Sequence, residues 1–147
     1  MAPKALQLPI MAADIVKVLP QGIPDIYVDR ILELELGERV VGLKNVTINE
    51  SWADTHFRGD PTMPGHLMVE AISQVGAILL LVDPKNKGKT PRIGSMKVKF
   101  RRKVVPGDQL RIDVSLDKTK GDIGRGTARA TVNDELACEG EFTYILT

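Results

Sequence analysis

From residue 65 to residue 82 the chain is apolar at most positions, with Leu67, Met68, Val69, Ala71, Ile72, Val75 and an unbroken run over 77–82. A helix so apolar all round predicts an element buried on most of its sides. Three polar residues within it, His66, Glu70 and Gln74, recur at a spacing of four and so share one stripe. A carboxylate in such a helix must be paired, hydrogen-bonded or kept for chemistry. Glu70 is therefore the most informative residue of the chain.

Elsewhere the pattern alternates every second residue, which predicts half-buried strands. Over 26–36, Leu32, Leu34 and Leu36 stand opposite Glu33 and Glu35, giving a dry face and a wet one. Gly37-Glu38 turns the chain into a valine-rich strand at 39–48. Beyond the helix, strands are expected over 92–104, 109–118, 126–132 and 136–146, with Leu110, Ile112, Val114 and Leu116 alternating in the second of these. Pro106-Gly107-Asp108, Lys120-Gly121-Asp122 and Asn133-Asp134 mark the turns between them. A short helix over 12–19 closes at Pro20, a turn follows over 20–24, 83–91 reads as a polar loop, and 1–11 as a loose N-terminal segment. Strands segregated around one long buried helix make the class α+β. At 147 residues the chain is expected to form a single domain over 1–147.

Composition and charge act mainly by exclusion. A net charge of +1 gives no global attraction to nucleic acid, and aromatics at 4% are too few for a base-stacking platform. The single cysteine, Cys138, excludes an intrachain disulfide and reads as a small buried residue in a reducing compartment. The helix over 65–82 approaches bilayer length, but His66, Glu70, Ser73 and Gln74 argue against a membrane span. Pro9 and Asp14 interrupt any leader-like apolar run. The expectation is a cytoplasmic protein that engages neither membrane nor nucleic acid.

Ahead of the helix, Gly59, Pro61 and Pro64 punctuate a rigid loop that begins at His56, and Pro64 suits a helix start. The stretch His56-Phe57-Arg58-Gly59-Asp60-Pro61-Thr62-Met63-Pro64-Gly65, followed by Glu70-Ala71-Ile72-Ser73-Gln74, resembles the (3R)-hydroxyacyl-[acyl-carrier-protein] dehydratases. The resemblance continues through Val28-Asp29-Arg30, the segment Lys44 to Glu50 and the segment Phe100 to Asp108, covering roughly 19–147. It implies a hotdog fold, an antiparallel sheet wrapped around one long central helix, paired into homodimers and then into a hexamer as a trimer of dimers. It also implies that His56 and Glu70 form the catalytic pair, one from each subunit. Gly65 matches the backbone donor to the thioester, and Gln74 matches the glutamine that orients the acid. No metal or other cofactor is implied, because the substrate rides on the phosphopantetheine arm of acyl carrier protein.

The chemistry of the residues runs in the same direction. Loss of water from a 3-hydroxyacyl thioester needs a base for the C2 proton, stabilisation of charge on the thioester oxygen, and an acid for the leaving hydroxyl. Neutral imidazole at His56 is suited to the first task. Free N–H groups at Gly65 and His66, at the positive end of the helix dipole, suit the second. Glu70, with its proton affinity raised by an apolar setting, suits the third. Taken singly each residue has a plainer reading: His56 as a loop histidine, Glu70 as a paired acid, Gln74 as structural, Gly65 as a bend.

Three features depart from the family pattern. Gln21-Gly22 lie where a His-Arg-Tyr-Pro-Phe-like stretch is usual, Arg58 replaces a proline, and His66 replaces an apolar residue one turn before Glu70. His66 reads either as a proton partner or substrate contact, or as a polar residue facing water. The basic run Lys97, Lys99, Arg101, Arg102 and Lys103 reads as the wet face of a strand and, compatibly, as a docking patch for an acidic carrier protein. Two other classes stay open: a non-catalytic acyl-binding sensor, and a thioesterase or specialised dehydratase of another lipid or polyketide pathway. An intact His56 and Glu70 speak against the sensor, and thioester hydrolysis would need a carboxylate placed to activate water.

Overall fold

The computed structural model describes residues 7–147, apart from the side chain of Lys118. The expectation for the N-terminal segment thus lies partly outside the described residues. Its last two residues depart from it, because Ile10–Met11 form a short strand, β1, paired to the next strand of the sheet. Helix α1 follows at Ala12–Val18, as the pattern predicted, with Ile15 fully buried.

The apolar stretch forms helix α2 at Gly65–Leu81, capped at its start by Pro64. Every residue from Gln74 to Leu80 is buried, whereas positions between Gly65 and Ser73 alternate between buried and half-exposed. The helix is therefore closed on all sides at its C-terminal half and open at its N-terminal half. Its far end is sealed by the following loop, where Pro84–Asn86 make one turn of 3-10 helix and buried Asn86 donates Nδ2 to the Leu80 carbonyl at 3.0 Å. That bond satisfies a carbonyl left over at the helix terminus.

Seven antiparallel strands surround α2. They are β1, β2 (Arg30–Glu35), β3 (Arg39–Asn45), β4 (Pro91–Phe100), β5 (Gln109–Lys120), β6 (Ile123–Val132) and β7 (Glu135–Leu146). Their order in the sheet is β1-β2-β3-β5-β6-β7-β4. On β6 the inward positions are Gly124, Gly126, Ala128, Ala130 and Val132, mostly small, while Arg125, Thr127 and Arg129 face solvent. Small side chains on that face let the strand pass close to the apolar helix. The β6–β7 hairpin turns on Asn133 and Asp134, both with positive φ (49° and 66°), the backbone that a two-residue turn between antiparallel strands requires.

Two expectations about the early strands are corrected. Residues 26–29 stand outside β2 and run alongside α2, with the Tyr27 N–H bound to the Gln74 side chain. The register of β2 against β3 also shifts between Ile31 and Glu33, so Ile31 is buried while Leu36 is 54% exposed. Within β2 the alternation holds, with Leu32 and Leu34 half-buried and Glu33 and Glu35 exposed, and only Leu36, past the end of the strand, leaves the row. β3 stops at Asn45, short of Ile48, because the Thr47 N–H turns to the Glu50 carboxylate at 2.7 Å. β4 ends at Phe100, where the chain leaves to meet the His56 loop through Met63 N–H and Val104 C=O at 2.8 Å.

The helix and β7 interlock at one point. Fully buried Tyr144 donates its hydroxyl to the Ser73 carbonyl at 3.0 Å, and a Cβ at Gly76 would land on that hydroxyl. Burial pushes the Tyr144 phenol well above its usual range, so it stays a donor at all working pH values. Gly76→Ala should destabilise the fold by roughly 1–3 kcal/mol through overpacking. Adding Tyr144→Phe should return part of that loss, which denaturant unfolding of the two variants would measure.

Candidate active site

His56 is fixed from three sides. Its N–H donates to the Trp52 carbonyl at 2.8 Å, its carbonyl accepts from Thr62 N–H at 2.7 Å, and its Nδ1 lies 2.8 Å from the Thr62 carbonyl. A carbonyl can only accept, so Nδ1 carries the proton in the neutral ring and Nε2 holds the free lone pair. The ring is half-buried and stacks on Phe57, with centroids 4.1 Å apart. Gly59 at φ 77° allows the tight turn in which Phe57 and Asp60 exchange backbone hydrogen bonds at 2.9 and 3.0 Å.

The polar stripe of α2 runs from solvent into the core: His66 is exposed, Glu70 half-buried and Gln74 buried. Gln74 Nε2 donates to Glu70 Oε1 at 2.9 Å and to the Asp25 carbonyl at 2.8 Å, while its Oε1 accepts from Tyr27 N–H at 2.8 Å. The Tyr27 donor fixes which end of the amide is oxygen. One carboxyl oxygen of Glu70 is thus held in place on a half-buried side chain. The hydrogen bonds of the described residues do not join His56 to Glu70 within one chain.

At the start of α2 the first N–H to find a helical acceptor is that of Leu67, on the Pro64 carbonyl at 3.0 Å. The Gly65 and His66 N–H groups precede that ladder. Gly65 is required by close approach: a Cβ there would come within 3.0 Å of the Phe100 ring. Phe100 itself is 52% exposed and covers the helix start from β4. Arg58 is exposed on the loop.

The basic run divides. Lys97 and Lys99 lie on the outer face of β4, opposite Glu141 and Glu139 of β7, while Met96, Val98 and Phe100 point to the helix side. Arg101 approaches Glu139 at 3.5 Å, Arg102 pairs with Glu135 at 2.9 Å, and Lys103 reaches Asp60 of the His56 loop at 3.5 Å. A shallow hollow of about 320 Å³ beside Lys97, Lys99, Thr127, Arg129, Glu139 and Glu141 is lined by both signs of charge and lies across the sheet from α2. The cations are therefore interleaved with acids and do not form a continuous positive surface. Among the described residues there is no cluster of potential metal ligands, and no helix is long and apolar enough to cross a membrane.

Sequence reasoning did not find the Asp25 carbonyl and the Tyr27 N–H as partners of Gln74. Backbone groups carry no signal in a single sequence. Phe100 was visible as an apolar residue beside the cations and as the start of a segment resembling the family, but not as the cover of the helix start.

The comparisons with known proteins follow this geometry. A FabA-like domain model matches residues 20–141. A 3-hydroxyacyl-[acyl-carrier-protein] dehydratase FabZ of Oenococcus oeni is 52% identical over 136 residues, 92% of this chain and 98% of that protein. Its namesake in Thermomicrobium roseum is 48% identical over 92% of this chain and 91% of its own length. Among solved structures, the dehydratase heterocomplex ApeI:P from Xenorhabdus doucetiae superposes with a TM-score of 0.78 at 14% identity, covering 96% of this chain and 92% of that one. A hypothetical thioesterase with coenzyme A from Streptococcus pneumoniae superposes at 0.64, also at 14% identity, over 80% of this chain and 84% of its own. Those two likenesses concern the α+β hotdog fold alone. A family match over most of the chain, joined to near half identity along almost the whole length of curated relatives, means that this chain belongs to the FabA-like family, among its 3-hydroxyacyl-[acyl-carrier-protein] dehydratases.

Proposed function

We propose that His56 and Glu70 act as base and acid in the dehydration of (3R)-3-hydroxyacyl-[acyl-carrier-protein] to the trans-2-enoyl product, a step of fatty acid biosynthesis. The observation that carries this reading is the bond from His56 Nδ1 to the Thr62 carbonyl, which leaves Nε2 unprotonated and free to take a proton. Nε2 removes the C2 proton, and the electron pair moves onto the thioester oxygen, where the Gly65 N–H offers a hydrogen bond and the helix dipole adds to it. The pair then returns to form the C2–C3 double bond as the C3 oxygen leaves, taking the Glu70 proton and departing as water. Gln74 keeps the carboxyl aimed while the proton is given up. Acid, base and backbone dipole supply every step, so the reaction draws on no metal or organic cofactor.

The chain acts as a homodimer, with His56 and Glu70 of each site drawn from different subunits, and by family likeness as a trimer of dimers. Two observations support the dimer. Among the described residues, β4 ends the sheet with one edge unpaired. Met96, Phe100 and Phe57 expose 48%, 52% and 56% of their surface beside the open half of α2. A long strand edge next to exposed apolar side chains favours cover by another chain. Work on carrier-bound chains in the cytoplasm accords with this.

Glu70→Gln keeps the shape and hydrogen bonding of the group but removes its proton. It should lower single-turnover dehydration by about 10²–10⁴-fold while binding of the same acyl chain is retained. Undiminished turnover would exclude Glu70 as the acid. Mixing inactive His56→Ala and Glu70→Gln chains should restore activity after subunit exchange, since one site of each mixed dimer would be intact. Activity that stays absent in demonstrated mixed dimers would rule out the shared site.

Carrier docking is tested separately. Lys99→Glu with Lys103→Glu should reduce kcat/KM on carrier-bound substrate by about tenfold and leave a small thioester analogue unaffected. The wild-type rate on carrier-bound substrate should also fall with salt, as exposed charges are screened beyond about 10 Å at roughly 0.1 M.

A further inference from the structure

The described residues bury three polar or charged side chains: Lys44, Gln74 and Asn86. Asn86 seals the end of α2. The other two meet through Tyr27, outside the roles assigned so far. Lys44, on β3 and 7% exposed, places its ammonium 2.9 Å from Glu50 Oε1 and 5.6 Å from the centroid of the Tyr27 ring. Glu50 is itself held, its other oxygen accepting the Thr47 N–H at 2.7 Å. An ammonium over a ring face at that distance is attracted to it, the more so when shielded from water. Tyr27 thus has its side chain seated on a fixed ion pair, while its N–H grips Gln74.

A buried ion pair is weak evidence for stability, because desolvation of the two charges offsets their attraction. What this pair does provide is a rigid seat in a place where rigidity matters. The Asp25–Tyr27 segment lies outside any strand and helix, yet its C=O and N–H are the two groups that hold the Gln74 amide. That amide in turn holds Glu70 Oε1.

We propose that Tyr27, seated on the Lys44–Glu50 ion pair, is a positioning residue for Glu70, acting through the backbone of Asp25–Tyr27 and the amide of Gln74. The inference rests on the reading of Glu70 as the acid. The Tyr27 phenol is also coupled to the same charges: burial first, then Asp25, Glu50 and Glu70, raise its proton affinity. The ring therefore lies within the field of Asp25, Glu50 and Glu70. Phenylalanine would preserve the ring face that Lys44 sits on. Leucine would fill similar space and offer the cation nothing.

The test uses the full chain and carrier-bound 3-hydroxyacyl substrate, with enoyl formation followed. Tyr27→Phe should stay within about twofold of wild type, since the ring face is kept. Tyr27→Leu should lower kcat by about ten- to hundredfold with KM within about twofold, the cost of a misplaced catalytic group. In a Glu70→Asp background, whose shortened carboxyl has already left the Gln74 amide, Tyr27→Leu should cost less than about twofold more. Non-additivity of that kind is what a residue acting through Glu70 produces. Should Tyr27→Leu fail to fold, Lys44→Met combined with Glu50→Gln removes the seat without leaving an orphan charge and should give the same kcat loss at constant KM. Wild-type kcat in Tyr27→Leu, or equal losses in both backgrounds, would overturn the positioning role while Glu70→Gln remains inactive. Full activity of Glu70→Gln would remove the acid itself, and the positioning role with it.

Discussion

The structure depends on the amide of Gln74. It is buried among apolar side chains, where an amide lacking partners would cost a few kcal/mol, and it has three: Glu70 Oε1, the Asp25 carbonyl and the Tyr27 N–H. Two of these bonds tie the central helix to a segment it would not otherwise hold. The two backbone bonds dock an irregular segment against α2 without a strand pairing. The third reaches back one helical turn to the carboxyl at the open end. Desolvation makes each of these bonds matter more than it would at the surface, because water cannot replace a lost partner. A polar residue in a core is thereby the joint between scaffold and site.

The helix is divided accordingly. From Gln74 onward it is enclosed by small residues of β6, by Tyr144 of β7 and by the Asn86 seal. Before Gln74 it opens toward β4, Phe100 and the His56 loop. The closed half supplies burial and rigidity, and the open half presents Glu70 and the first free N–H groups. Glu70, the proposed acid, sits at the boundary, half-buried and held by the buried Gln74 amide.

How much of this was legible in the sequence follows from the range of each interaction. The stripe His66, Glu70, Gln74 and the bounds of α2 were readable because helical periodicity is local. The turn at Asn133-Asp134 was readable because positive φ selects residue types. The alternation of Leu32 and Leu34 against Glu33 and Glu35 was readable too, whereas Leu36 falls past the end of β2 and is exposed. The basic run was visible as charge, but Glu139, Glu141 and Glu135, which stand beside it, come from a strand some forty residues away in the chain. His56 and Glu70 were legible as chemistry through the family motif. The placement of His56 depends on Trp52 and Thr62 and that of Glu70 on Gln74, and two of the three bonds to His56 end on partner main-chain carbonyls that no side-chain pattern encodes.

The departures from the family pattern can be weighed in the same terms. Gln21-Gly22 precede the Asp25–Tyr27 segment, and Asp25 N–H closes a turn on the Gly22 carbonyl at 2.8 Å. The altered stretch therefore ends in a turn that delivers the chain to the same two contacts with Gln74. What a different sequence at 20–24 can change is the surface outside that turn, where Ile23 is 77% exposed. Arg58 and His66 are both exposed, one on the loop beside His56 and one a helical turn before Glu70. Arg58 and His66 thus fall on exposed surface, whereas Gln21 is half-buried with its Oε1 enclosed and without a partner among the described residues, and none of the three departures interrupts the bonds that fix His56 or Glu70. Variation at these positions leaves Glu70, His56 and the Gly65 N–H in place while altering what surrounds them.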